Sequence, residues 1–154
     1  SGKGTGFKTV TKPKNITNSV KNGYNATVKK SGRKTTVKVH TSINPNLYVG
    51  ADWRFSSKLN FTSRKYFTCK LNITGMKEKY AHVRIRFFHG NSVYESSAKV
   101  KGGGTRAVSV NLSKWAYRGS VNKIQIWVRP YSKTRWKNGS KIVITEMKQA
   151  ATAK

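Results

Sequence analysis

The sequence predicts an all-β protein, a two-sheet antiparallel β-sandwich of the jelly-roll type with about eight strands. Two observations predict this fold. Apolar and polar residues alternate with a period of two over most of the chain from Gly23 onward, which is the pattern of half-buried strands. Turn-forming stretches rich in glycine, asparagine and proline separate these segments at regular intervals. The one stretch with helix-forming residues, "MKEKYAH", is too short for a stable helix.

The strand-like segments follow one another along the chain, and each is ended by a turn signal. "YNATVKK" and "TTVKVHT" flank the hairpin-like "SGR", "GADWRFSS" follows "NPN", and "KYFTCKLNIT" ends at Gly75. "AHVRIRFFHG" ends at "HGN", "VYESSAKV" leads to the flexible "KGGG", and "RAVSVNLS" precedes the loop "KWAYRGSVN". "KIQIWVRP" stops at Pro130, and "KIVITEM" follows the Asn-Gly turn of "TRWKNGS".

The periodicity also predicts the domain boundaries. Residues 1–22 are rich in glycine, lysine and threonine and have weak periodicity, so we expect a basic linker with a short strand at residues 7–10. Residues 23–149 are predicted to form the β-sandwich binding module, and residues 150–154 a tail. We expect a monomeric module that is part of a longer chain.

Alternation also predicts which side chains point into the core. These are Phe67, Cys69, Leu71, Ile73, Val83, Ile85, Phe87, Val108, Val110, Leu112, Ile124, Ile126, Val128, Ile142 and Ile144. Trp115, just after "NLSK", is expected to plug one end of the core. Cys69 is the one cysteine, so no internal disulfide can form, and we expect its thiol to be buried and inert.

The charge of the chain points to an anionic partner. The chain has 32 lysine and arginine residues but only four acidic residues, which gives a net charge of +28. Such a charge opposes compaction and favours binding to polyanions, while an aromatic content of 11% argues against a disordered basic tail. From these residues we expect neither a signal peptide nor a membrane-spanning segment, since no long apolar run occurs in them. It also has no nucleic-acid-binding motif, so we expect only incidental, salt-sensitive adhesion to nucleic acids.

Three strand-like segments place an unusual set of side chains on the outward face. The outward positions are His82, Arg84, Arg86 and Phe88, then Glu95, Ser97 and Lys99, then Gln125, Trp127 and Arg129. An indole can stack on a sugar ring or hold a cation, and an arginine can grip a phosphate or carboxylate with two parallel hydrogen bonds. If the three strands share a sheet, this face is a candidate ligand groove. The alternatives are a packing role for Trp127 and a solvated strand face for the arginines.

The run "LNFTSRKYFTCKLNITGMKEKYAHVRIRFFHGNSVYE", with the later "VSVNLSKW", "VNKIQIWVRP" and "WKNGSKIVITEM", resembles the galactose-binding-like jelly rolls. These are carbohydrate-binding modules attached to extracellular bacterial enzymes and surface proteins. The pattern V-x-V-x-L-S-x-W, the following K-I-x-I-W-V and the terminal strand after a turn carry the resemblance. It covers roughly residues 24–147.

The resemblance implies a site and raises the question of a metal. In such modules the three strands lie in one curved sheet, whose concave face often holds the glycan. The ligand-binding residues it implies here are Arg84, Arg86, Glu95, Lys99, Gln125, Trp127 and Arg129. The family commonly carries a structural calcium near the first and last strands. This chain has only Asp52 and Glu146 in suitable regions, which argues against a metal or other cofactor.

No motif in the sequence predicts catalysis. Hydrolysis of a glycosidic bond needs two placed carboxylates. None of the four acids lies in a supporting motif; they are Asp52, Glu78, Glu95 and Glu146. The histidines at 40, 82 and 89 lack metal-ligand spacing, and "KGGGTR" lacks the context of a phosphate-binding loop. We therefore expect a protein that is not an enzyme.

Two binding functions remain open. The first is a cell-wall-binding module that attaches a secreted protein to anionic wall glycopolymers of the teichoic-acid kind, largely by electrostatics. It would act outside the cell, at the wall or cell surface, for example as the C-terminal attachment domain of a lactic-acid-bacterial cell-envelope proteinase. The alternative is a carbohydrate-binding module for a specific polysaccharide, held in the groove around Trp127. Charge attraction weakens with salt, so salt dependence distinguishes the two.

Overall fold

The computed structural model describes residues 11–16, 20–39, 48–132, 134 and 136–153, with the backbone alone for residues 20–22. The described chain forms eleven strands. They are β1 (Lys14–Asn15), β2 (Val20–Tyr24), β3 (Ala26–Ser31), β4 (Lys34–Val39), β5 (Val49–Leu59), β6 (Tyr66–Thr74), β7 (Tyr80–His89), β8 (Ser92–Lys101), β9 (Thr105–Asn111), β10 (Val121–Pro130) and β11 (Lys141–Ala150). The strand predicted at residues 7–10, the end of "TTVKVHT" and the histidine at position 40 lie outside the described residues.

The strands form two antiparallel sheets, so the predicted all-β sandwich is confirmed. One sheet has six strands, in the order β3-β4-β11-β6-β9, with β1 also paired to β11. The other has five strands, in the order β2-β5-β10-β7-β8. Strands that are distant in the sequence are neighbours in both sheets, because most consecutive strands cross from one sheet to the other. Among the described residues, no helix has the length and apolarity that a membrane crossing requires.

The strand count exceeds the predicted number of about eight partly because β1 lies in the stretch expected to be a linker and β2 begins there. β2 pairs with β5, and β1 pairs with β11. Ile16 is buried, and its N–H donates to the carbonyl of Met147 at 2.9 Å. The alternating pattern misses these strands because β1 is two residues long and "VKNGY" contains no apolar alternation. At the other end, β11 includes a buried Ala150, the first residue of the predicted tail.

The core lies between the two sheets, and the predicted inward-facing residues are all buried. Alternation works here because each sheet has one face against the core and one face toward solvent. Phe87 packs edge-on against both Phe61 and Phe67, with ring centroids 6.0 and 5.4 Å away. Trp115 is 8% exposed and stacks near Tyr94, which agrees with its expected place beside the core.

Cys69 is confirmed as a buried thiol. It is 3% exposed, and burial raises its pKa to about 12. Because the thiolate is the reactive form, a thiol with so high a pKa is inert at neutral pH.

Candidate functional site

The three strands that carry the predicted site lie side by side in the five-stranded sheet. β10 pairs with β7, and β7 pairs with β8. The register aligns the predicted residues in three rows across these strands: Gln125, Arg86 and Glu95; Trp127, Arg84 and Ser97; Arg129, His82 and Lys99. The residues between them are buried in the core on β7 and β10 and partly buried on β8, so the rows project from the outer face of the sheet. We call this outer face the aromatic–arginine face.

Trp127 is half-buried because its indole lies across a neighbouring glycine. Gly50 of β5 is opposite Trp127, and a Cβ on Gly50 would lie 2.8 Å from the indole Cδ1. Tyr24 of β2 is opposite Gly50 from the other side, and its ring stacks on Trp127 at 4.4 Å between centroids and 9° between planes. The indole Nε1–H donates to Asp52 Oδ1 at 3.1 Å. Tyr24 therefore covers one face of Trp127.

The Arg84 guanidinium approaches Trp127 and a second aromatic ring. Its Cζ lies 5.1 Å from the ring centroid of Trp127 and 4.2 Å from that of Tyr48. Its Nε is buried without a hydrogen-bond partner. Among the described residues, no carboxylate lies within 4.0 Å of Arg84. Arg84 is thus a cation over the faces of two adjacent aromatic rings, with its charge not neutralised by an acid.

The other two arginines of this face already have partners. Arg86 donates from Nε to Glu95 Oε1 at 2.6 Å, so its charge is neutralised. Arg129 donates from Nη1 to the carbonyls of Pro130 and Tyr131, at 3.2 Å each. Carbonyl partners orient the Arg129 guanidinium but leave its charge uncompensated.

A second aromatic group lies at the end of the face where β7 begins. The Lys99 ammonium is 4.6 Å from the ring centroid of Tyr80 and 4.5 Å from that of Tyr131. Both tyrosines remain exposed. Tyr80 and Arg84 are four residues apart on β7, which corresponds to about 13 Å along the strand. Two aromatic groups are therefore separated by a cationic stretch.

His82 lies in that cationic stretch. Its Nδ1 is 3.2 Å from the hydroxyl of Tyr48. Burial and the positive charges of Arg129 and Arg84 lower its pKa from the usual value of 6.5. The imidazole is therefore held neutral at neutral pH, although its surroundings would favour an anion.

Gln125 differs from its predicted exposure. It is outward in the alternation but only 7% exposed, because it lies between Asp52 and Arg86 on the flanking strands. Its Oε1 has no hydrogen-bond partner. A buried amide oxygen without a donor lowers the stability of the sheet, and burial keeps this oxygen from direct contact with a ligand on the face.

The four acids have separate local partners. Asp52 accepts from Trp127, and Glu95 from Arg86. Glu78 accepts from the Ser132 N–H and from the Thr134 hydroxyl; burial alone would raise its pKa, but these hydrogen bonds lower it. Glu146 forms salt bridges with Lys70 at 3.1 Å and with Lys148 at 3.8 Å.

This arrangement argues against both a calcium site and a catalytic pair. Asp52 lies in the five-stranded sheet and Glu146 in the six-stranded sheet, so the suggested pair does not meet. Asp52 and Glu95 share a face, but three strand spacings separate them, or about 14 Å, beyond the separations of glycosidase carboxylates. In the described parts of the chain, no three histidine, cysteine or acidic side chains come close enough to hold a metal ion.

Several members of this face could not be identified from the sequence. They are Tyr24, Tyr48, Tyr80 and Tyr131. Each lies at a strand end or in a turn, where the period-two pattern gives no direction for the side chain. His82 is outward in the alternation, but only its register opposite Arg129 and Lys99 links it to the site.

A cleft of about 520 Å³ lies elsewhere in the described structure. It is lined by β1, the second half of β5, Asn60, Ser63, Arg64 and Gln149. Its cations are Lys14, Arg54, Lys58 and Arg64. Its lining includes Phe55 but no tyrosine or tryptophan, so the aromatic–arginine face offers the better chemistry for a sugar.

Comparison with solved structures gives the same sandwich in carbohydrate-binding modules. A variant of the family 29 module CBM29-2 superimposes with a TM-score of 0.58 and 12% identity, over 91% of this chain and 85% of that chain. A family 29 module from Piromyces equi gives a TM-score of 0.53 and 7% identity, over 89% and 88%. An agarase gives a TM-score of 0.62 and 9% identity, over 85% of this chain but only 22% of its own. No protein-family model matches, and the search of curated proteins finds no similar sequence. The chain thus has the β-sandwich fold that these modules share.

Proposed function

We propose that this chain is a non-catalytic carbohydrate-binding module for an acidic polysaccharide, with its site on the aromatic–arginine face. The observation that carries the proposal is Arg84, a guanidinium that lies over the rings of both Tyr48 and Trp127 and has no acid partner among the described residues. An arginine fork held in place by two rings is preorganised to bind a carboxylate, sulfate or phosphate with two parallel hydrogen bonds.

The aromatic side chains favour the interpretation that the anionic group is part of a sugar. Tyr24 stays 38% exposed although one of its ring faces stacks on Trp127. Tyr80 and Tyr131 are exposed at the other end of the face. Aromatic rings bind the C–H faces of sugars, and two aromatic groups spaced along one sheet suit an extended polymer. The shared sandwich fold of the family 29 modules agrees with this interpretation, and so do their whole-chain superpositions.

The second candidate is attachment to an anionic cell-wall polymer such as teichoic acid, as part of a protein outside the cell. The net charge of +28 favours it, because many weak Coulomb contacts suffice to hold such a polymer. In this case the aromatic–arginine face contributes charge but no selectivity. Adhesion to nucleic acids would follow from the same charge and carry no sequence preference.

A panel of oligosaccharides of equal length tests the proposal. Neutral, carboxylated and sulfated forms are titrated at low salt and at about 1 M salt, where the screening length is about 3 Å. We expect tighter binding of the acidic forms, and weaker but still saturable binding at high salt that the free oligosaccharide reverses. Equal binding of the neutral and acidic forms would contradict an acidic ligand. Complete elution at high salt would favour the wall-attachment candidate.

The affinity for a sulfated oligosaccharide is expected to rise as the pH falls from neutral to about 5.5, by up to roughly tenfold. Burial and the positive charges of Arg129 and Arg84 lower the pKa of His82 in the free protein, and a bound sulfate raises this pKa by favouring the imidazolium. Ligand binding therefore takes up a proton, and binding strengthens as the pH falls. A sulfate ester keeps its charge over this range, so only the protein titrates.

Two matched variants control that measurement. His82→Gln removes the titrating group and should give an affinity independent of pH. His89→Gln should keep the pH dependence, because His89 stacks on Tyr117 and bonds the carbonyl of Ser120 at the other end of the strand. A pH dependence that survives in the His82 variant would assign the effect to another group.

A further inference from the structure

The opposite face of the sandwich has a different chemistry. On β3, β4 and β11 the described outward positions hold no aromatic side chain. Up to the bulge of β11 that follows Thr145, they are Thr27, Lys29, Ser31, Lys34, Thr36, Lys38, Lys141, Val143 and Thr145. These strands belong to the six-stranded sheet, so the core separates their outer face from the aromatic–arginine face.

Like charges meet on this face. The register puts Lys38 directly opposite Lys141 on one side and opposite Thr27 on the other. Lys29 lies opposite Thr36, one row along. Two lysines directly opposite each other in an antiparallel pair destabilise it. The repulsion between these two lysines lowers the stability of the strand pair, and an anion placed between them would remove that repulsion.

No acid relieves the repulsion. In the described structure, salt bridges involve Lys70, Lys148 and Arg86, and none involves Lys29, Lys38 or Lys141. Glu146 is in the same sheet, but it is five residues along β11 from Lys141, or about 16 Å. These three lysines therefore form a local concentration of uncompensated charge.

The side chains also form a depression. Its volume is about 240 Å³, and it is lined by Thr27, Lys29, Thr36, Lys38 and Lys141. Ammonium groups donate hydrogen bonds and accept none, and threonine hydroxyls can also donate. With three cations and no ring, such a depression suits the anionic group of a polymer and does not suit the face of a sugar. We call it the lysine face.

We propose that the lysine face is a second binding surface for acidic polysaccharide, recognised through its sulfate or carboxylate groups. Since the two faces belong to opposite sheets, one module can then bind two polymer segments and bridge them. The surface itself is independent of the function proposed above, whereas bridging also requires the aromatic–arginine site.

The test begins in the Arg84→Gln protein, so that the first site is weakened. The full chain is titrated with a short dextran sulfate, and Lys29→Gln, Lys38→Gln and Lys141→Gln are added together. The matched control replaces the exposed Lys77, Lys79 and Lys114 by glutamine, which removes the same charge.

We expect the affinity for dextran sulfate to fall at least about tenfold in the lysine-face triple and about twofold or less in the control. The slope of log K against log salt should fall by about 2 to 3 in the former, since each lost contact contributes about 0.7–0.9.

Equal losses in both triple variants would overturn the proposal, because the attraction would then belong to the net charge. A melting temperature at or above that of the parent shows that the lysine-face triple still folds, since relief of the Lys38–Lys141 repulsion stabilises β4 and β11. A DNA oligonucleotide of equal charge is the competitor. If it bound the lysine face more tightly than dextran sulfate does, the occupant would be nucleic acid and the proposal would be wrong.

Bridging is measured with beads of two colours coated with dextran sulfate. For this assay both triple variants are made in the chain that keeps Arg84. The wild-type chain and the control triple should co-aggregate the beads, whereas the Arg84→Gln variant and the lysine-face triple should not. If the Arg84 variant keeps full affinity while the lysine-face triple loses it, the proposed site on the aromatic–arginine face is contradicted and the proposed binding surface on the lysine face is supported. If only the Arg84 variant loses affinity, the lysine face is wrong.

Discussion

Arg84→Gln should weaken the binding of an acidic oligosaccharide by roughly 10- to 150-fold, because hydrogen bonds to a charged group contribute about 1.5–3 kcal/mol. The substitution removes the guanidinium that lies over the rings of Tyr48 and Trp127 but leaves a polar side chain of moderate size. Isothermal titration calorimetry with one acidic oligosaccharide gives the affinity directly. The affinity for the neutral oligosaccharide should change little, so the selectivity for the charged form should fall together with the affinity for it.

Two further variants separate geometry from charge. Arg84→Lys keeps the charge but loses the planar fork, so it should recover only part of the affinity. Arg106→Gln removes an arginine from β9 of the other sheet, where it donates to the carbonyls of Lys101 and Gly102. Its effect on binding should be about twofold or less, as expected for one distant charge. A similar loss in the Arg84 and Arg106 variants would mean that net charge alone binds the ligand.

Gly50→Ala should lower the free energy of unfolding by about 3 kcal/mol or more. A Cβ at this position would lie 2.0 Å from the carbonyl oxygen of Ile126 and 2.8 Å from the Cα of Trp127. Both are backbone atoms, so β5 and β10 must separate for the methyl group to fit. For a domain of this size the melting temperature should fall by roughly 6–12 °C. The Tyr24–Trp127 stack lies over the same glycine, so glycan binding should fall as well.

The control for this prediction is Gly104→Ala. Its added Cβ would be 3.3 Å from the terminal nitrogen of Arg106, a flexible side chain that can move aside. The melting temperature of this variant should stay within a few degrees of the wild-type value. A Gly50 variant that melts like the Gly104 variant would contradict the close approach of β5 and β10.

The alternating pattern predicts the core well because each sheet is buried on one face. Val83, Ile85 and Phe87, with the outward residues between them, follow from the sequence "AHVRIRFF" alone. The pattern does not give the pairing of strands: β10 lies between β5 and β7, which are distant in the sequence. The proximity of β7, β8 and β10 follows from the resemblance to jelly rolls. The alternating pattern does not predict the edge strand β2, because pairing with β5 stabilises this strand and apolar alternation does not.

The candidate site is predictable only where it lies inside regular strands. Arg84 and Trp127 face outward because of their position in the alternation. That pattern cannot show that Tyr24 covers one face of the indole, since the contact depends on a glycine two strands away from Arg84. Tyr48 precedes β5, where no periodicity fixes its direction. The pairing of Arg86 with Glu95, which leaves Arg84 and Arg129 as the arginines of this face without an acid partner, likewise requires the register of β7 and β8.

Mapping a bound oligosaccharide by NMR shows directly whether the aromatic–arginine face is the ligand site. Uniformly ¹⁵N-labelled chain is titrated with an acidic oligosaccharide, and the side-chain N–H signals of Trp127 and Arg84 are followed with the backbone amides of β7 and β10. We expect saturable shifts of these signals with a common dissociation constant, and the loss of these shifts in the Arg84→Gln protein. Unchanged Trp127 and Arg84 signals, with saturable shifts confined to the cleft beside Arg54 and Arg64, would contradict this site.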